Sequence, residues 1–355
     1  MRTLLADPTF GVTEAERAAR LDAGGLRIHT TLDPHLQAAA RTTLGTTLGA
    51  ATDPEAAIAI VEPSTGHVLA AVGNRDYDAL QFDLATQARR QPGSTFKTFV
   101  LATALADGWR PDDLVDGRQG VVPTSHGGWD VRNYDRHSYE AVTLAGATRA
   151  SVNAAYARLG VDLGADRIAG TATAMGVRSR LPTDDPQIAL GGGGVAVTPL
   201  DLAAAYGTLA NGGRHVTTTP VAVVTDRDGR VVWQPDATPR PVLAPQVVTL
   251  TTEVLRGVVE QGTGLAARVE GWQVAGKTGT TSDHADAWFA GYTPTLAAAV
   301  WVGHAEGRIP LRDVAGVDEV TGGTLPAAMF AATLTSALVG LEPVPFDGMA
   351  ATVGG

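Results

Sequence analysis

The chain has 355 residues, 44% of them hydrophobic and 18% charged, with a formal net charge of −10 and no cysteine. That length can bury a sizeable core and allows one large domain with an appendage. The acidity argues against nucleic acid or an anionic membrane surface as the main partner, and the lack of thiols excludes disulfides and thiolate metal sites.

In chain order, MRTLLADPTFGVTEAERAARL breaks up with Asp, Thr and Glu too early to read as a signal peptide, and residues 1–25 read as a polar helix ending at Gly24 and Gly25. LRIHTTL (26–32) alternates like a strand. Asp33 and Pro34 then open a helix to about residue 49, with proline in a first-turn position. AAIAIVEPSTGHVLAAVG (56–73) reads as two apolar strands around a Pro-Ser-Thr-Gly turn. STFKTFVLATALADG follows as a helix stopped by Gly108, and the middle of the chain reads as helical and alanine-rich. Its clearest helix is TPLDLAAAYGTLANGG, with Thr198 as N-cap, Pro199 first, Asp201 in the first turn and Asn211-Gly212 as the stop. VAVVTDRDGRVVW (221–233) reads as a hairpin. QVAGKTGT, DAWFAGYT and LAAAVWVGH (273–304) read as three strands, LPAAMFAATLTSALVGL as a closing helix, and the tail from Glu342 as loose. Strands near both ends with a helical block between them predict an α+β fold rather than a βαβ repeat. No stretch nears 18 uninterrupted apolar residues, so no membrane segment is expected in this chain. The expected division is a linker or pedestal over 1–50, a main domain over 51–345 and a flexible tail over 346–355.

The chemistry gathers in three short motifs. Lys97 and Lys277 are the only lysines among 27 cationic residues. Lys97 stands three residues after Ser94, just beyond Pro92-Gly93, and on a helix those positions share a face. A helix N-terminus there adds N–H groups that favour developing negative charge. A serine hydroxyl needs a base to become a nucleophile. Arginine cannot supply one, because its pKa stays above ~12. Lysine can, if burial and a nearby cation bring its pKa from ~10.4 towards the ~7–8 that catalytic bases use; Lys277 is the candidate cation. ASVNAAY supplies Ser151 and Asn153, which lie two apart and so line one cleft only from a turn between helices. AGKTGTT supplies Lys277, Thr278, Gly279 and Thr280 on a strand. There Gly279 allows close approach of a substrate chain, and the hydroxyls with Lys277 suit a carboxylate. Each motif alone is weak: Ser94 and Lys97 fit a surface helix turn about equally well, and Ser151 and Asn153 fit a helix cap better. With eight serines and four asparagines in the chain, their joint occurrence by chance is on the order of one in ten thousand.

With these motifs the sequence resembles the penicillin-binding proteins, and most closely the transpeptidase half of the bifunctional class A members. The resemblance spans nearly the whole chain. GGLRIHTTLDPHLQ looks like their interdomain linker, ATQARRQPGSTFK like their nucleophile motif, and VTPLDLAAAYGTLANGG and GGTLPAAMFAATL like later landmarks; the glycosyltransferase domain and membrane anchor that precede the linker in that family are not in this sequence. Val152 fills the middle of the second motif. The resemblance implies a central antiparallel sheet flanked by helices, with an all-helical subdomain, and a location on the extracytoplasmic face of the membrane. It implies that Ser94 attacks the D-Ala-D-Ala carbonyl of a peptidoglycan stem peptide while Lys97 takes its proton. Ser151, backed by Lys277, then relays a proton to the departing D-Ala, and Asn153 holds a substrate amide. Thr278 and Thr280 bind the terminal carboxylate, and the N–H groups of Ser94 and Thr280 form an oxyanion hole worth ~3–4 kcal/mol per donor. An acceptor amine resolves the acyl-enzyme, and β-lactam antibiotics stall on the same route. No cofactor is implied.

Other features read as structural. Gly191–Gly194 lacks the Lys-Ser/Thr of a phosphate loop and reads as a flexible cleft wall. The eight histidines show no metal-binding spacing. Trp129 and Trp288 read as packing residues, and Asn133-Tyr134 resembles a loop near the family's active site without its usual flanks. Three alternatives stay open: a carboxypeptidase or β-lactamase, a β-lactam-sensing domain, and a transferase acting on another amine. The glutamate before Leu-Asn used by one lactamase class is not visible, since the four asparagines follow Gly, Arg, Val and Ala.

Overall fold

The computed structural model describes residues 2–346 other than 51, 77 and 126. Its centre is a five-stranded antiparallel sheet of β1 (Glu55–Val61), β2 (Val68–Val72), β3 (Ala275–Thr280), β4 (Asp286–Tyr292) and β5 (Ala297–Gly303), in the spatial order β3-β4-β5-β1-β2. The fold is therefore α+β, as the sequence pattern predicts. One expected hairpin and one expected run of three strands supply all five strands, and β5 pairs with β1 along its whole length, Ala297 opposite Val61 and Gly303 opposite Glu55.

Both faces of this sheet are covered, so its strands are apolar on both sides. Side chains alternate between two cores. Trp288, Ala290 and Tyr292 of β4 enter one core, and Ala287 and Phe289 the other. The first core is shared with α1 (Lys97–Ala106), α2 (Leu144–Arg149), α3 (Asn153–Leu163), α4 (Pro199–Ala210) and the N-terminal part of α5 (Pro245–Gln261). The second is closed by the helix Pro34–Thr47 and by α6 (Leu325–Ala337). α4 starts as its sequence predicts: Thr198 and Asp201 form a capping box around Pro199.

Several expectations change. The first 25 residues do not form one helix but a short helix Arg2–Leu5, a 3-10 turn Pro8–Phe10 and a helix Glu14–Asp22. Asp7-Pro8 interrupts the first, and a Thr13/Glu16 capping box starts the last. The segment is not wholly polar, since Leu4 and Phe10 are buried against Val221, Val224 and Trp233. The strand Leu26–Thr30 pairs antiparallel with Val221–Asp226, so the pedestal draws on residues nearly two hundred positions downstream and not on residues 1–50 alone. The middle of the chain is not purely helical; Gly120–Thr124 pairs with Gly127–Val131 as a hairpin, and Leu114–Asp116 with Ala141–Thr143. At the C-terminus, the Phe346 ring docks 5.5 Å from Tyr292 and its N–H donates to Gln273, so the tail is anchored to that point; the rest of the expected tail, 347–355, lies outside the described residues.

One buried group ties the sheet to the segment ahead of Ser94. Asp286 Oδ1 accepts from Arg90 Nε at 2.9 Å and from Trp301 Nε1 at 2.9 Å, and the Arg90 guanidinium lies 5.0 Å from the Trp301 ring centroid. Arg90 also donates to the carbonyls of His304 and Gly307. Removing the carboxylate leaves the guanidinium without its counter-ion and the indole N–H without its acceptor. Asp286→Ala is therefore expected to cost about 3–5 kcal/mol, read as a lowered urea midpoint; a loss under ~1 kcal/mol would show that the pair is dispensable.

Candidate active site

Ser94 sits in a 3-10 turn, Gly93–Phe96, that runs directly into α1 at Lys97. The expected helix is thus tighter in its first turn, and in a 3-10 turn positions i and i+3 eclipse, so Ser94 and Lys97 stand one above the other. Gly93 enters the turn at φ +53°, and a Cβ there would lie 2.8 Å from the Thr280 carbonyl oxygen. The turn is pressed against β3. A Cβ on Gly279 would overlap the Pro92 carbonyl oxygen and lie 2.8 Å from Thr95 Cγ2. From the other face Gly322 closes in, where a Cβ would lie 2.6 Å from both N and O of Gly279. Gly279 therefore admits the protein's own turn. The sequence reading gave the close approach to a substrate chain; the approach seen here is that of the protein's own turn. Gly191 does the same on the far side of the turn, since its Cβ would overlap the Gly93 carbonyl. The tetraglycine stretch is at this residue a buttress against the turn instead of a flexible wall. Trp288 adds a hydrogen bond from Nε1 to the Gln91 carbonyl at 2.8 Å.

Ser151 lies between α2 and α3, as their spacing required. It takes a left-handed φ of +56°, a conformation that costs a non-glycine residue on the order of 1 kcal/mol. That backbone turns both its carbonyl and its hydroxyl towards lysine amines. Lys97 Nζ donates to Ser151 O at 2.7 Å and to Asn153 Oδ1 at 2.7 Å, and lies 3.3 Å from Ser151 Oγ. Lys277 Nζ lies 2.9 Å from the same Ser151 Oγ. The hydroxyl thus bridges two amines. The helix-cap reading of this motif fails, because the N-cap of α3 is Val152 and makes no side-chain bond. Asn153 is fixed at both ends, its Nδ2 donating to the Arg132 carbonyl at 2.9 Å.

Both lysines have zero solvent exposure, and among the described residues neither is paired with a carboxylate. Burial pushes Lys97 well below the ordinary lysine value, with the Lys277 charge as a second cause, and burial alone pushes Lys277 to about 7. The Tyr156 ring, 5.3 Å from Lys97 Nζ, favours the cation, but an aromatic face contributes only ~0.5–2 kcal/mol against a desolvation penalty of several kcal/mol per buried ion. A neutral Lys97 has two N–H groups, which its two shortest contacts use, and one lone pair left for a hydroxyl. Ser94 Oγ makes no hydrogen bond among the described residues; its proton is not yet committed to any base, a common state of unliganded sites.

Ser94 opens onto a cavity of about 310 Å³ that Ser151, Asn153, Thr278, Thr280 and Tyr134 also line. On β3 the alternation sends Lys277 into the core and leaves the threonines for the cavity. Thr278 Oγ1 lies 2.7 Å from Thr263 Oγ1, and Thr280 Oγ1 accepts from Gly322 N at 3.1 Å. Lys277 faces inward to Ser151, so a carboxylate in the cavity would meet hydroxyls first. Sequence reasoning missed Thr263 and left out Asn133 and Tyr134. Asn133 Oδ1 accepts from Ala154 N at 2.9 Å, pinning the start of α3, and the Tyr134 ring stands 5.7 Å from His284. Their resemblance to a family loop was the one signal for them. Trp288 is core, as expected, and Trp129 lines a separate cavity with Asp184 and Gln187.

No helix of the described residues is long and apolar enough to cross a membrane. The family model for the penicillin-binding protein transpeptidase domain matches residues 56–308. Penicillin-binding protein 2D of Bacillus subtilis is 32% identical over 296 residues, covering 80% of this chain and 42% of that protein. Penicillin-binding protein 1A of Aquifex aeolicus is 34% identical over 254 residues, covering 71% of this chain and 34% of that protein. The chain thus spans well under half the length of these relatives. Among solved structures, the PonA1 protein of Mycobacterium tuberculosis in complex with penicillin V superposes with a TM-score of 0.82 at 29% identity, covering 93% of this chain and 90% of that one. The D,D-transpeptidase domain of a peptidoglycan glycosyltransferase from Eggerthella lenta gives 0.72 at 25% identity, covering 94% and 88%.

The contact at Gly279 is among the tightest in the site. Gly279→Ala is expected to destabilise the protein by about 1–3 kcal/mol through overpacking, measured as a lowered thermal midpoint. An unchanged midpoint would mean that the turn and β3 are not in contact.

Proposed function

The chain belongs to the penicillin-binding protein transpeptidase family, and from that premise we propose that its cleft performs D,D-transpeptidation on peptidoglycan stem peptides through a serine acyl-enzyme. The observation that carries this reading is the Ser151 hydroxyl held 3.3 Å from one fully buried amine and 2.9 Å from the other, beside an unbonded Ser94. Ser94 Oγ attacks the carbonyl carbon of the penultimate D-Ala as the Lys97 lone pair takes its proton. The oxygen that gains charge is received by the N–H groups of Ser94 and Thr280. When the C–N bond breaks, the leaving D-Ala nitrogen takes a proton from Ser151, which is resupplied from Lys277 or Lys97. Asn153 keeps Lys97 in register and offers its remaining N–H to the substrate, while Thr278 and Thr280 hold the terminal carboxylate. An amine of a second stem peptide then attacks the ester and frees Ser94. β-Lactams acylate Ser94 by the same first step and persist, because their leaving group stays tethered. This chemistry belongs on the extracytoplasmic face of the membrane, where peptidoglycan is cross-linked.

Incubation with a fluorescent penicillin tests the reading. A covalent adduct that lasts hours and is absent from Ser94→Ala is expected; turnover within seconds would indicate a lactamase, and no adduct would remove the assignment. Lys97→Arg keeps the charge but loses the base, so its acylation rate should fall at least ~100-fold. A near-normal rate would assign the base elsewhere.

The pH profile follows from the lysine environment. Because the folded pKa values of both amines are lowered, free base forms at lower pH than for an ordinary lysine and is lost on acidification. Penicillin acylation should therefore level off below the ordinary lysine pKa of ~10.4 and fall as the pH drops. A rate still climbing tenfold per pH unit towards pH ~10 would show Lys97 to be an unshifted cation.

A further inference from the structure

Away from the cleft, a cavity of about 460 Å³ opens beside the start of α4, with Arg89, Arg178, Thr218 and Phe82 in its wall. The proposed mechanism uses none of them. Among the described residues neither arginine forms an ion pair, although the chain carries a net charge of −10 and carboxylates are plentiful. Arg178 Nη2 donates to the Thr218 carbonyl at 3.0 Å, which fixes the guanidinium at the wall and leaves its other N–H groups free. Thr218 itself is 6% exposed, and its hydroxyl makes no hydrogen bond among the described residues. That oxygen is not itself shut off from solvent, so it faces the cavity as a free donor.

Asp201 also lines the cavity, but the acidic groups here are already committed. Asp201 accepts from Arg178 N at 3.0 Å, from Ser179 Oγ at 2.6 Å and from Thr198 N at 3.0 Å, so its carboxylate serves the cap of α4 and the backbone of its neighbour. Asp83 accepts from Ala85 N and Thr86 Oγ1. The local field is positive: after burial, the charges of Arg240 and Arg178 help hold His215 down at about 4. Phe82, 46% exposed, gives the rim an apolar flank.

We propose that this cavity binds an oxyanion, a phosphate or carboxylate group, between the Arg89 and Arg178 guanidiniums with the Thr218 hydroxyl as a third donor. Guanidinium forks match both groups in geometry, and the volume leaves room for an organic body lying against Phe82. The proposal is independent of the reading of the cleft. Arg89 and Thr198 each adjoin the two-bond bridge between Arg90 and Val197, so a bound anion would link the segment that leads to Ser94 with the start of α4.

Calorimetric titration with inorganic phosphate and with acetate, each against sodium chloride of matched ionic strength, tests it. Saturable one-site binding with Kd in the millimolar range or tighter is expected for at least one of them. The tighter of the two identifies the group. Binding should weaken at least ~tenfold in Arg89→Ala/Arg178→Ala, with fluorescent-penicillin labelling of Ser94 unchanged as evidence of an intact fold. Should that variant lose labelling, Thr218→Val provides the second reading, with an expected weakening of a few-fold. No saturable heat up to ~50 mM of either anion, or an affinity that neither variant changes, would overturn the site.

Discussion

Everything in the cleft depends on one steric constraint, the seating of the Ser94 turn on β3 at backbone contact distance. Gly93, Gly191, Gly279 and Gly322 meet there, each at a point where a Cβ would overlap or crowd a neighbouring backbone. With side chains at these positions, Ser94 would stand off from Lys277 by the width of a methyl group or more, and the hydrogen-bonded cluster would open. The glycines bring no chemistry of their own. They set the spacing that lets a turn, a strand edge and two loops act as one wall, while Trp288 and the Arg90–Asp286 pair keep that wall attached to the sheet. Glycine loses more conformational freedom on folding than other residues, so such a junction needs external supports of this kind.

Within that frame the electrostatics follow from what is missing. Two amines share one serine hydroxyl in an interior without a carboxylate counter-ion. Burial lowers both pKa values, and at Lys97 the Lys277 charge acts in the same direction. An arginine in either position would remain charged and could not exchange protons with the hydroxyl between them. In a chain whose other cations are all arginine, lysine occupies the two buried positions whose amines meet at the Ser151 hydroxyl. The left-handed backbone of Ser151 is the local strain that accompanies this arrangement, and α2, α3 and the two lysine bonds hold it in place.

The sequence exposed those parts of the site whose chemistry is tied to residue type. Ser94, Lys97, Ser151, Asn153 and the Lys277 strand could be picked out, and the need for a turn at Ser151 followed from helical geometry alone. The five central strands could be read because one hairpin and one run of three consecutive strands carry them. What could not be read depends on contacts between distant segments. A glycine that faces a substrate and one that faces the protein's own turn look identical in a sequence, so the contacts of Gly279 and Gly191 with the Ser94 turn could not be read from it. Asn133 matters through a bond to the first turn of α3, a partner twenty-one positions away. The pedestal boundary was drawn from local composition, whereas Leu26–Thr30 finds its partner strand at Val221–Asp226.

The pairing of β1 with β5 has a consequence for the life of the chain before it is a folded protein. β1 is made early and β5 some 240 residues later, so the apolar strand Glu55–Val61 emerges long before the neighbour that covers one of its edges exists. Such high sequence separation slows folding and leaves an unpaired edge exposed to aggregation. The lysines inherit the same delay: Lys97 is synthesised with its serine, but the strand that carries Lys277 arrives only with the last quarter of the sequence. A nascent chain that has not yet reached β3 therefore holds Ser94 and Lys97 without the Lys277 charge and the full burial that lower the Lys97 pKa.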